Sequence, residues 1–244
     1  MKPRGLSASE RIDYWKELTV ALEEAIPFYE HVNSLISLGR AQRWRVRGLK
    51  GLSTKGGILL DAGIGPGNMS ASAIEILAPQ TVVGLDPSPK MLREAKETGK
   101  RFRGADLHLV RGIFETLPFR AGVFSAVVCG FSLRDALDLE GALSEFRRAL
   151  SRRGKLLIID IGKPDNPLAR FIYKRYLRLI VPLLARVATR WITKGNPWNW
   201  LALTYEDLPQ NNRLEGIITH SFGKVERRGS HFGFVNRIIA ERAE

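Results

Sequence analysis

Apolar and polar positions follow two alternating patterns along the chain. Short apolar runs bounded by Gly, Pro or Asp are typical of buried strands, whereas apolar residues at steps of three and four are typical of amphipathic helices. The runs predict strands at 58–60, 81–85, 107–110, 124–129 and 156–161. Helices are predicted between them at 68–77, 90–98 and 139–150. Strands that alternate with helices predict an α/β fold with a parallel sheet covered on both faces.

The pattern changes after residue 163. Residues 164–204 are dense in apolar and basic side chains, and Pro182 interrupts their apolar run, so we predict an inserted helical lid. Residues 205–244 return to the earlier pattern of helix followed by strand. They predict a helix near 214–219 and two strands, 224–227 and 232–240, that form an antiparallel hairpin. The hairpin brings the predicted sheet to seven strands. The chain is expected to be a single domain, 1–244, with its core at 51–163.

Residues 1–50 carry helical periodicity and form the predicted N-terminal cap. Ser7 and Glu10 fit a capping box, and Pro27 ends or kinks the first helix. From 29 to 47 the pattern continues as one amphipathic helix with a basic polar face. Such a helix faces either solvent or phosphate groups.

Charge narrows the range of partners. The net charge is +13 and the sequence pI is about 10.2, which favours an anionic partner such as an acidic membrane surface, nucleic acid or an acidic substrate. The alternative is a solubilising surface rich in ion pairs. Cys129 is the single cysteine, so neither a disulfide framework nor a thiolate metal site is predicted. With no signal peptide and no long apolar run, we expect a cytoplasmic location, with peripheral attachment to the inner face of the membrane.

A glycine-rich turn follows the first predicted strand. The pattern is Asp61-x-Gly63-x-Gly65-x-Gly67, and a second acid, Asp86, ends the next strand. A dinucleotide fingerprint would need a third glycine where Asn68 stands, and a P-loop would need Gly-Lys-Ser/Thr. The spacing instead resembles that of class I S-adenosylmethionine-dependent methyltransferases.

This resemblance implies how the cofactor is bound. Asp61 would orient the loop or face the cationic end of S-adenosylmethionine, and Asp86 would accept hydrogen bonds from both ribose hydroxyls. The alternative for Asp86 is an N-cap of the helix that starts at Pro89. The cofactor-binding residues implied are Asp61, Gly63, Gly65, Gly67, Asp86, Pro87, Gly112, Ile113, Phe114 and Gly130.

Further motifs resemble one family, the ubiquinone/menaquinone biosynthesis C-methyltransferases. They are Leu117-Pro118-Phe119, Phe131-Ser132-Leu133-Arg134-Asp135, Gly162-Lys163-Pro164, and upstream Tyr29 to Gly39 with Trp44-Arg45 behind it. The resemblance implies a Rossmann-like seven-stranded methyltransferase sheet, mostly parallel, with the N-terminal cap and the inserted lid. It also implies transfer of a methyl group to a ring carbon of a polyprenyl quinol.

The sequence departs from this family at three places. An acid that usually follows the third strand and holds adenine is here Ile113, so adenine is expected to contact backbone groups near Ile113 and Phe114. The family's Leu-Arg-Asn is here Leu-Arg-Asp, ending at Asp135. The His-Arg pair before the tryptophan is here Ala41-Gln42. The departures leave the choice of quinone open.

The chemistry is assigned to the end of the fourth strand. Arg134 is expected to stabilise developing phenolate charge, and Asp135 to accept a proton directly or through water. The alternative is that these two residues pair with each other or cap the next helix. The substrate-binding residues implied are Tyr29, Asn33, Phe131 and Ser132.

The lid sequence fits a lipid-tailed substrate. Its aliphatic run, its basic residues and Trp191, Trp198 and Trp200 suit an interfacial helix, or alternatively a hydrophobic lid with a basic outer face. Other functions left open by the sequence are methylation of another small lipophilic acceptor, methylation of RNA, and a non-catalytic cofactor-binding subunit. Nucleic acid is disfavoured because no separate RNA-binding module is visible.

Overall fold

The computed structural model describes residues 16–17, 19–20, 23–24, 26–101, 104–189 and 198–242, and seven strands within them form one sheet. The strands are β1 (Ile58–Ala62), β2 (Thr81–Asp86), β3 (Asp106–Arg111), β4 (Phe124–Gly130), β5 (Leu150–Ile161), β6 (Gly223–Ser230) and β7 (Val235–Arg242). Their order is β3-β2-β1-β4-β5-β7-β6. Strands β1 to β5 pair in parallel, and β7 pairs antiparallel with both β5 and β6. The predicted α/β fold with a C-terminal hairpin is confirmed.

Helices connect the strands and extend beyond them. They are α1 (Tyr29–Ile36), α2 (Ala41–Gly51), α3 (Asn68–Leu77), α4 (Pro89–Gly99), α5 (Leu139–Ala149), α6 (Pro167–Arg175), α7 (Val181–Ala188), α8 (Asn199–Asp207) and α9 (Asn211–Phe222). Short 3-10 turns cover Ile26–Phe28, Leu133–Asp135 and His231–Gly233. Helix α4 begins as its sequence predicts, because the Ser88 hydroxyl accepts a hydrogen bond from the Met91 N–H at 3.1 Å and Pro89 occupies the first turn.

The pleat of the sheet divides the core into two layers. Leu60 and its neighbours on alternate positions pack against α5 and α9, where Phe146 is fully buried. Leu59 and the intervening positions pack against α2 and α3, where Leu49 is fully buried. Because side chains alternate across a strand, an apolar run can supply both layers. The runs are therefore continuous because both faces of the sheet are covered.

A third apolar cluster lies away from the sheet. Val32 of α1 packs with Leu177 and Val181 of the lid and with Tyr205 of α8. Between α6 and α7 the helix widens into a π turn at Tyr176–Ile180, directly before Pro182, which has no N–H to donate. The cap and the lid therefore share a core of their own, set above the carboxyl ends of the parallel strands.

One helix prediction is wrong. The single helix predicted from 29 to 47 is divided into α1 and α2, because Leu38 and Gly39 adopt left-handed φ angles of 51° and 69°. The proposed capping box at 7–10 lies outside the described residues. None of the described helices is long and apolar enough to cross a lipid bilayer. The boundaries of cap, core and lid stay predictions.

Candidate active site

The glycine turn is anchored at one end and open at the other. The N–H groups of Gly63 and Ile64 both donate to the Leu85 carbonyl, at 2.8 and 3.0 Å, which ties the turn to β2. Gly63, Gly65 and Gly67 have φ angles of 75°, 53° and 95°, which favour glycine. A Cβ on Gly63 would lie 2.5 Å from the Ser132 hydroxyl, whereas a Cβ on Gly65 would meet nothing within 4 Å. The turn thus presents its backbone to open space at Gly65, where a ligand can approach.

Asp86 holds this turn in place. Its Oδ2 accepts a hydrogen bond from the Gly65 N–H at 3.0 Å, and its Oδ1 accepts one from the Ser88 N–H at 2.9 Å. Burial raises the pKa of Asp86 to about 6, although both hydrogen bonds oppose the shift. The N-cap of α4 is Ser88, so the capping alternative for Asp86 is wrong. Each carboxylate oxygen keeps a second acceptor position, which leaves the proposed ribose contact chemically feasible.

Asp61 is a buried acid at the base of the turn. The Ser70 hydroxyl donates to its Oδ2 at 2.6 Å, and no described residue donates to its Oδ1. Burial raises the pKa of Asp61 to about 7 against the opposing effects of Ser70 and Arg45. A buried acceptor without a donor costs free energy. Asp61 therefore fits a cationic, hydrogen-bond-donating ligand such as the amino-acid end of S-adenosylmethionine.

Asp61 predicts a pH dependence of stability. Its folded pKa of about 7 lies above its ordinary value of about 3.9, so the stability it contributes is complete below about pH 4 and is lost as pH rises through about 7. Relative to Asp61→Asn, the wild type should lose about 2–4 kcal/mol of unfolding free energy across this interval. Urea unfolding of both proteins at several pH values tests this. Parallel pH curves for the two proteins would contradict it.

The other predicted cofactor residues lie at the same edge of the sheet. The Gly112 N–H donates to the Asp86 carbonyl at 3.3 Å, and Arg111 Nε donates to the Pro87 carbonyl at 3.1 Å. Gly130 ends β4 beside Met69 of α3. The sheet thus collects the ends of β1, β2, β3 and β4 around one point, as parallel strands in this order require.

The Phe114 side chain belongs to the core beneath the glycine turn. Its ring is buried and packs edge-on against Phe146, with ring centroids 5.6 Å apart. At Phe114 the backbone is therefore the part that can contact adenine, and Ile113 beside it is partly exposed. The predicted adenine contact at these two residues stays a prediction.

A cavity of about 580 Å³ lies between α1, α2, the end of β4 and the lid, and its wall begins at Phe131, directly after Gly130, one of the predicted cofactor residues. Its walls are mostly aliphatic and aromatic, and its charged lining residues are Arg40, Arg45 and the pair Arg134 and Asp135, which follows β4 and is called here the polar end. Among the residues predicted to bind substrate, Tyr29, Asn33 and Phe131 line it. Other lining residues include Trp44, Ile161, Ile172, Tyr173, Leu177, Ile180, Leu184, Trp198 and Trp200.

Ser132 lies outside this cavity. Its hydroxyl donates to the Ala62 carbonyl at 3.0 Å and lies 3.2 Å from the Cys129 sulfur. These contacts join the end of β4 to the end of β1, beneath Gly63. Its predicted contact with substrate has no support from this position.

Arg134 is surrounded by oxygen atoms of Asp160, Phe131 and Asp135. Its Nη1 donates to Asp160 Oδ1 at 2.9 Å and to the Phe131 carbonyl. Its backbone N–H donates to Asp160 Oδ2 at 3.0 Å. Its Nε lies 3.8 Å from Asp135 Oδ1. Burial opposes the charged form, but Asp135 and Asp160 outweigh this effect and raise the pKa of Arg134. The pairing of Arg134 with Asp135, an alternative from the sequence, is therefore present. Both residues nevertheless line the cavity.

Asp160 was missed by the sequence analysis. It is 2% exposed at the end of β5, and both its carboxylate oxygens bond to Arg134. The one available signal was an acid within an otherwise apolar strand, since carboxylates are almost never buried without a partner. The partner itself lies 26 positions upstream and is brought close by the pairing of β4 with β5.

The turn after β4 is strained. Phe131 has a φ angle of 61°, and its N–H donates to the Ile159 carbonyl at 2.6 Å. A left-handed aromatic residue costs about 1–3 kcal/mol and persists where surrounding contacts hold it. Here the Phe131 ring packs near Trp44, with centroids 6.3 Å apart, and its carbonyl accepts from Arg134. The left-handed conformation of Phe131 thus directs its carbonyl to the Arg134 guanidinium, which lies at the polar end of the cavity.

Two of the three lid tryptophans, Trp198 and Trp200, lie inward. Trp198 is 6% exposed and lines the cavity with Trp200, whereas an interfacial helix would present them to the outside. Trp191 and Arg190 lie outside the described residues. The outer surface of the lid is aliphatic and basic instead.

Comparisons with known proteins agree with this geometry. Two curated relatives are 31% identical: a ubiquinone/menaquinone biosynthesis C-methyltransferase from Syntrophotalea carbinolica, over 86% of this chain and 87% of the relative, and a demethylmenaquinone methyltransferase from Oceanobacillus iheyensis, over 84% and 90%. Among solved structures, a S-adenosylmethionine-dependent methyltransferase from Thermotoga maritima, described as a possible histamine N-methyltransferase, matches with a TM-score of 0.64 at 17% identity. That match covers 92% of this chain and 99% of the other.

A second solved structure is a Haemonchus contortus phosphoethanolamine N-methyltransferase in complex with S-adenosylmethionine. Its TM-score is 0.60 at 16% identity, over 82% of this chain and 52% of the other. At such identities the structures show the fold alone. The model of the ubiE/COQ5 methyltransferase family matches residues 18–240. The chain therefore belongs to the ubiE/COQ5 methyltransferase family.

Proposed function

We propose that the protein transfers a methyl group from S-adenosylmethionine to a ring carbon of a polyprenyl quinol, as the names of its curated relatives describe for those proteins. One observation carries the proposal. The cavity places Arg134 and Asp135, directly after the end of β4, in one wall with the aliphatic and aromatic side chains of α1, α2 and the lid. A quinol has this same division, with a hydroxylated ring and an apolar tail.

The predicted cofactor residues would bind S-adenosylmethionine at the edge formed by β1 and β2. At Gly65 the absence of a side chain lets the cofactor approach the backbone of the turn. Asp86 offers acceptors for the ribose hydroxyls, and Asp61 offers a buried carboxylate for the cationic end of the cofactor. When bound, this cofactor supplies a methyl group made electrophilic by the adjacent sulfonium. The remaining chemistry is to make a ring carbon nucleophilic and to exclude water.

We assign proton transfer to Asp135 and charge stabilisation to Arg134. Asp135 takes the proton of a ring hydroxyl, and the resulting phenolate carbon forms the new C–CH₃ bond as the S–CH₃ bond breaks. The methylated ring carbon then loses its hydrogen as a proton to solvent, which restores aromaticity, and the protonated Asp135 returns its proton to the phenolate oxygen. The net release is one proton. Arg134 stabilises the oxygen's negative charge throughout.

The contacts distinguish the two acids. Asp160 accepts three N–H bonds, two from Arg134 and one from its neighbour Ile161 at 2.8 Å, so it serves to hold Arg134. Asp135 lines the cavity and faces the substrate side. Arg134 itself is unsuited to accept a proton, because its pKa is raised and it stays charged.

The test is methyl transfer to quinols of defined structure. The protein is incubated without oxygen with methyl-labelled S-adenosylmethionine and a prenylated quinol that lacks the ring methyl, and the product is analysed by mass spectrometry. We expect a ring-methylated product from the quinol and none from the oxidised quinone, which has no hydroxyl proton to lose. A parallel incubation with a membrane lipid extract and with total RNA identifies any other acceptor. Label that enters another lipid or RNA but no quinol would refute the acceptor assignment.

We also propose that the lid docks on an anionic membrane. Along α6, the π turn and α7, exposed apolar side chains form one outer face: Leu168, Phe171, Ile172, Leu179, Ile180, Leu183 and Val187. Arg175, Arg178 and Arg186 are exposed on the same segment. Ile172 and Ile180 belong both to this face and to the cavity wall. The cavity therefore opens where a lipid-tailed substrate would arrive.

Docking is expected to depend on apolar side chains that do not line the cavity. Leu179→Ser/Leu183→Ser should weaken binding to vesicles of phosphatidylcholine with about one quarter phosphatidylglycerol by about 10-fold or more. Turnover of a water-soluble short-chain quinol should stay unchanged. The control is Val123→Ser, an exposed apolar residue before β4.

Vesicle co-sedimentation measures this binding. Wild-type affinity should fall when phosphatidylglycerol is omitted or salt is raised, since each basic residue near an anionic surface contributes about 1 kcal/mol. Equal binding to neutral and anionic vesicles, or unchanged binding by the Leu179/Leu183 variant, would contradict membrane docking by the lid.

A further inference from the structure

Arg45 is a buried cation whose charge is poorly matched by its neighbours. It lies on α2, and its side chain is 7% exposed. Among the described residues, the nearest carboxylate oxygen is Glu30 Oε1 at 3.6 Å, on a side chain that is 54% exposed, and the Gln42 amide oxygen lies at the 3.5 Å limit of a hydrogen bond. Burying a guanidinium without close acceptors is costly. The arrangement indicates that a further anion belongs beside it.

The burial of Arg45 is specific to this position. The sequence predicts a basic surface along this helix, and Arg43 and Arg47 are exposed as expected. Arg45 instead turns inward toward the ends of the central strands. Its guanidinium carbon lies 5.6 Å from the centroid of the Phe131 ring, directly after β4.

The surroundings of Arg45 place it beside the glycine turn. Its neighbour Glu30 accepts a hydrogen bond from the side chain of Asn68, the first residue of α3 after Gly67. The charge of Arg45 also acts on Asp61, where it opposes the effect of burial on the pKa. Arg45 also lines the cavity, so it lies in the part of the cavity wall nearest the turn, close to the positive end of the α3 dipole.

We propose that Arg45 binds the carboxylate of the amino-acid portion of S-adenosylmethionine. This inference rests on the cofactor assignment of the proposed function. The cofactor carries an ammonium and a carboxylate on the same carbon, and Asp61 is the buried acid that suits the first. Arg45 is the buried base that suits the second, and a planar guanidinium binds a carboxylate through two parallel hydrogen bonds.

Two cofactors that differ only in this carboxylate test the inference. Isothermal titration calorimetry is performed with S-adenosylmethionine and with decarboxylated S-adenosylmethionine, which keeps the ammonium and the sulfonium. We expect the wild type to bind the decarboxylated compound about 10- to 100-fold more weakly. Arg45→Gln should lose a similar factor for S-adenosylmethionine and less than about 3-fold for the decarboxylated compound. Arg45→Lys should retain part of the discrimination.

Arg43→Gln is the matched control, because it removes an exposed arginine from the same helix. It should leave both affinities unchanged. The inference is overturned if the wild type binds both compounds equally, a result that does not depend on whether any variant folds. It is also overturned if Arg45→Gln weakens both compounds by the same factor, which would indicate a structural role. Failure of the wild type to bind S-adenosylmethionine at all would refute the cofactor assignment itself.

Discussion

Replacement of Asp86 by alanine is expected to weaken S-adenosylmethionine binding by about 100-fold or more. The substitution removes two acceptors of backbone hydrogen bonds, from Gly65 at 3.0 Å and from Ser88 at 2.9 Å. It thereby releases the glycine turn from the end of β2, in addition to removing the acid proposed to bind the ribose. The variant therefore loses both the conformation of the glycine turn and the ribose contact, so cofactor affinity should fall by more than the loss of either one would cause. Calorimetric titration with the cofactor measures it.

Two further variants distinguish a direct loss of cofactor binding from a loss of the folded structure. Asp86→Asn keeps the shape but turns one acceptor into a donor that faces an N–H, and about 10-fold weakening is expected. Asp106→Ala removes an exposed acid at the start of the adjacent strand and serves as the control. If Asp86→Ala keeps its unfolding midpoint and binds the cofactor within about 3-fold of the wild type, other contacts hold the cofactor. In that case the assignment of Asp86 is wrong.

Replacement of Arg134 by glutamine is expected to lower kcat by about 100- to 10,000-fold while cofactor affinity changes little. The variant removes the buried cation that would stabilise phenolate charge at the polar end of the cavity. It also leaves Asp160 buried without its partner, which should destabilise the fold by about 3–5 kcal/mol. A low rate could then arise from unfolding alone, so stability and rate must be measured together.

The double variant Arg134→Gln/Asp160→Asn separates the two effects. It removes the buried carboxylate that has lost its cation and should restore part of the unfolding free energy; the new amide nitrogen faces one of the two backbone N–H groups that Asp160 accepts, which limits the recovery. Turnover of the quinol should stay as low as in the single variant. Full recovery of kcat in the double variant would show that Arg134 acts through stability and would refute its role in charge stabilisation.

Asp135→Asn is the companion variant, since it keeps the shape of the residue and removes the proton acceptor. A loss of kcat of about 100-fold or more is expected, together with loss of the acidic limb of the pH–rate profile. An unchanged rate with unchanged cofactor binding would assign the proton transfer to another group. Tyr29 is the next residue to examine, because it lines the same end of the cavity and burial raises the pKa of its phenol.

Several elements of this fold follow from local sequence. Strand β1 begins at the predicted residue and α3 matches the predicted bounds, because apolar runs and glycine turns are properties of short segments. Strand β5 is longer than predicted and starts at Leu150, directly after α5. The basic residues at 152, 153 and 155 interrupt the apolar pattern there, and only pairing with β4 and β7 makes this stretch a strand.

The sequence by itself determined the α/β architecture, the position of the glycine turn and the two acids, Asp61 and Asp86, that accompany it. These features depend on spacing within a few residues. The tertiary structure alone decided that Asp160 holds Arg134, that Arg45 points inward and that Ser132 braces β1 instead of lining the cavity. Each of these contacts joins residues distant along the chain, and which side chain is buried depends on the strand order and on the way α2 packs on the sheet. The pattern of apolar and polar residues along the chain does not specify the strand order or the packing of α2.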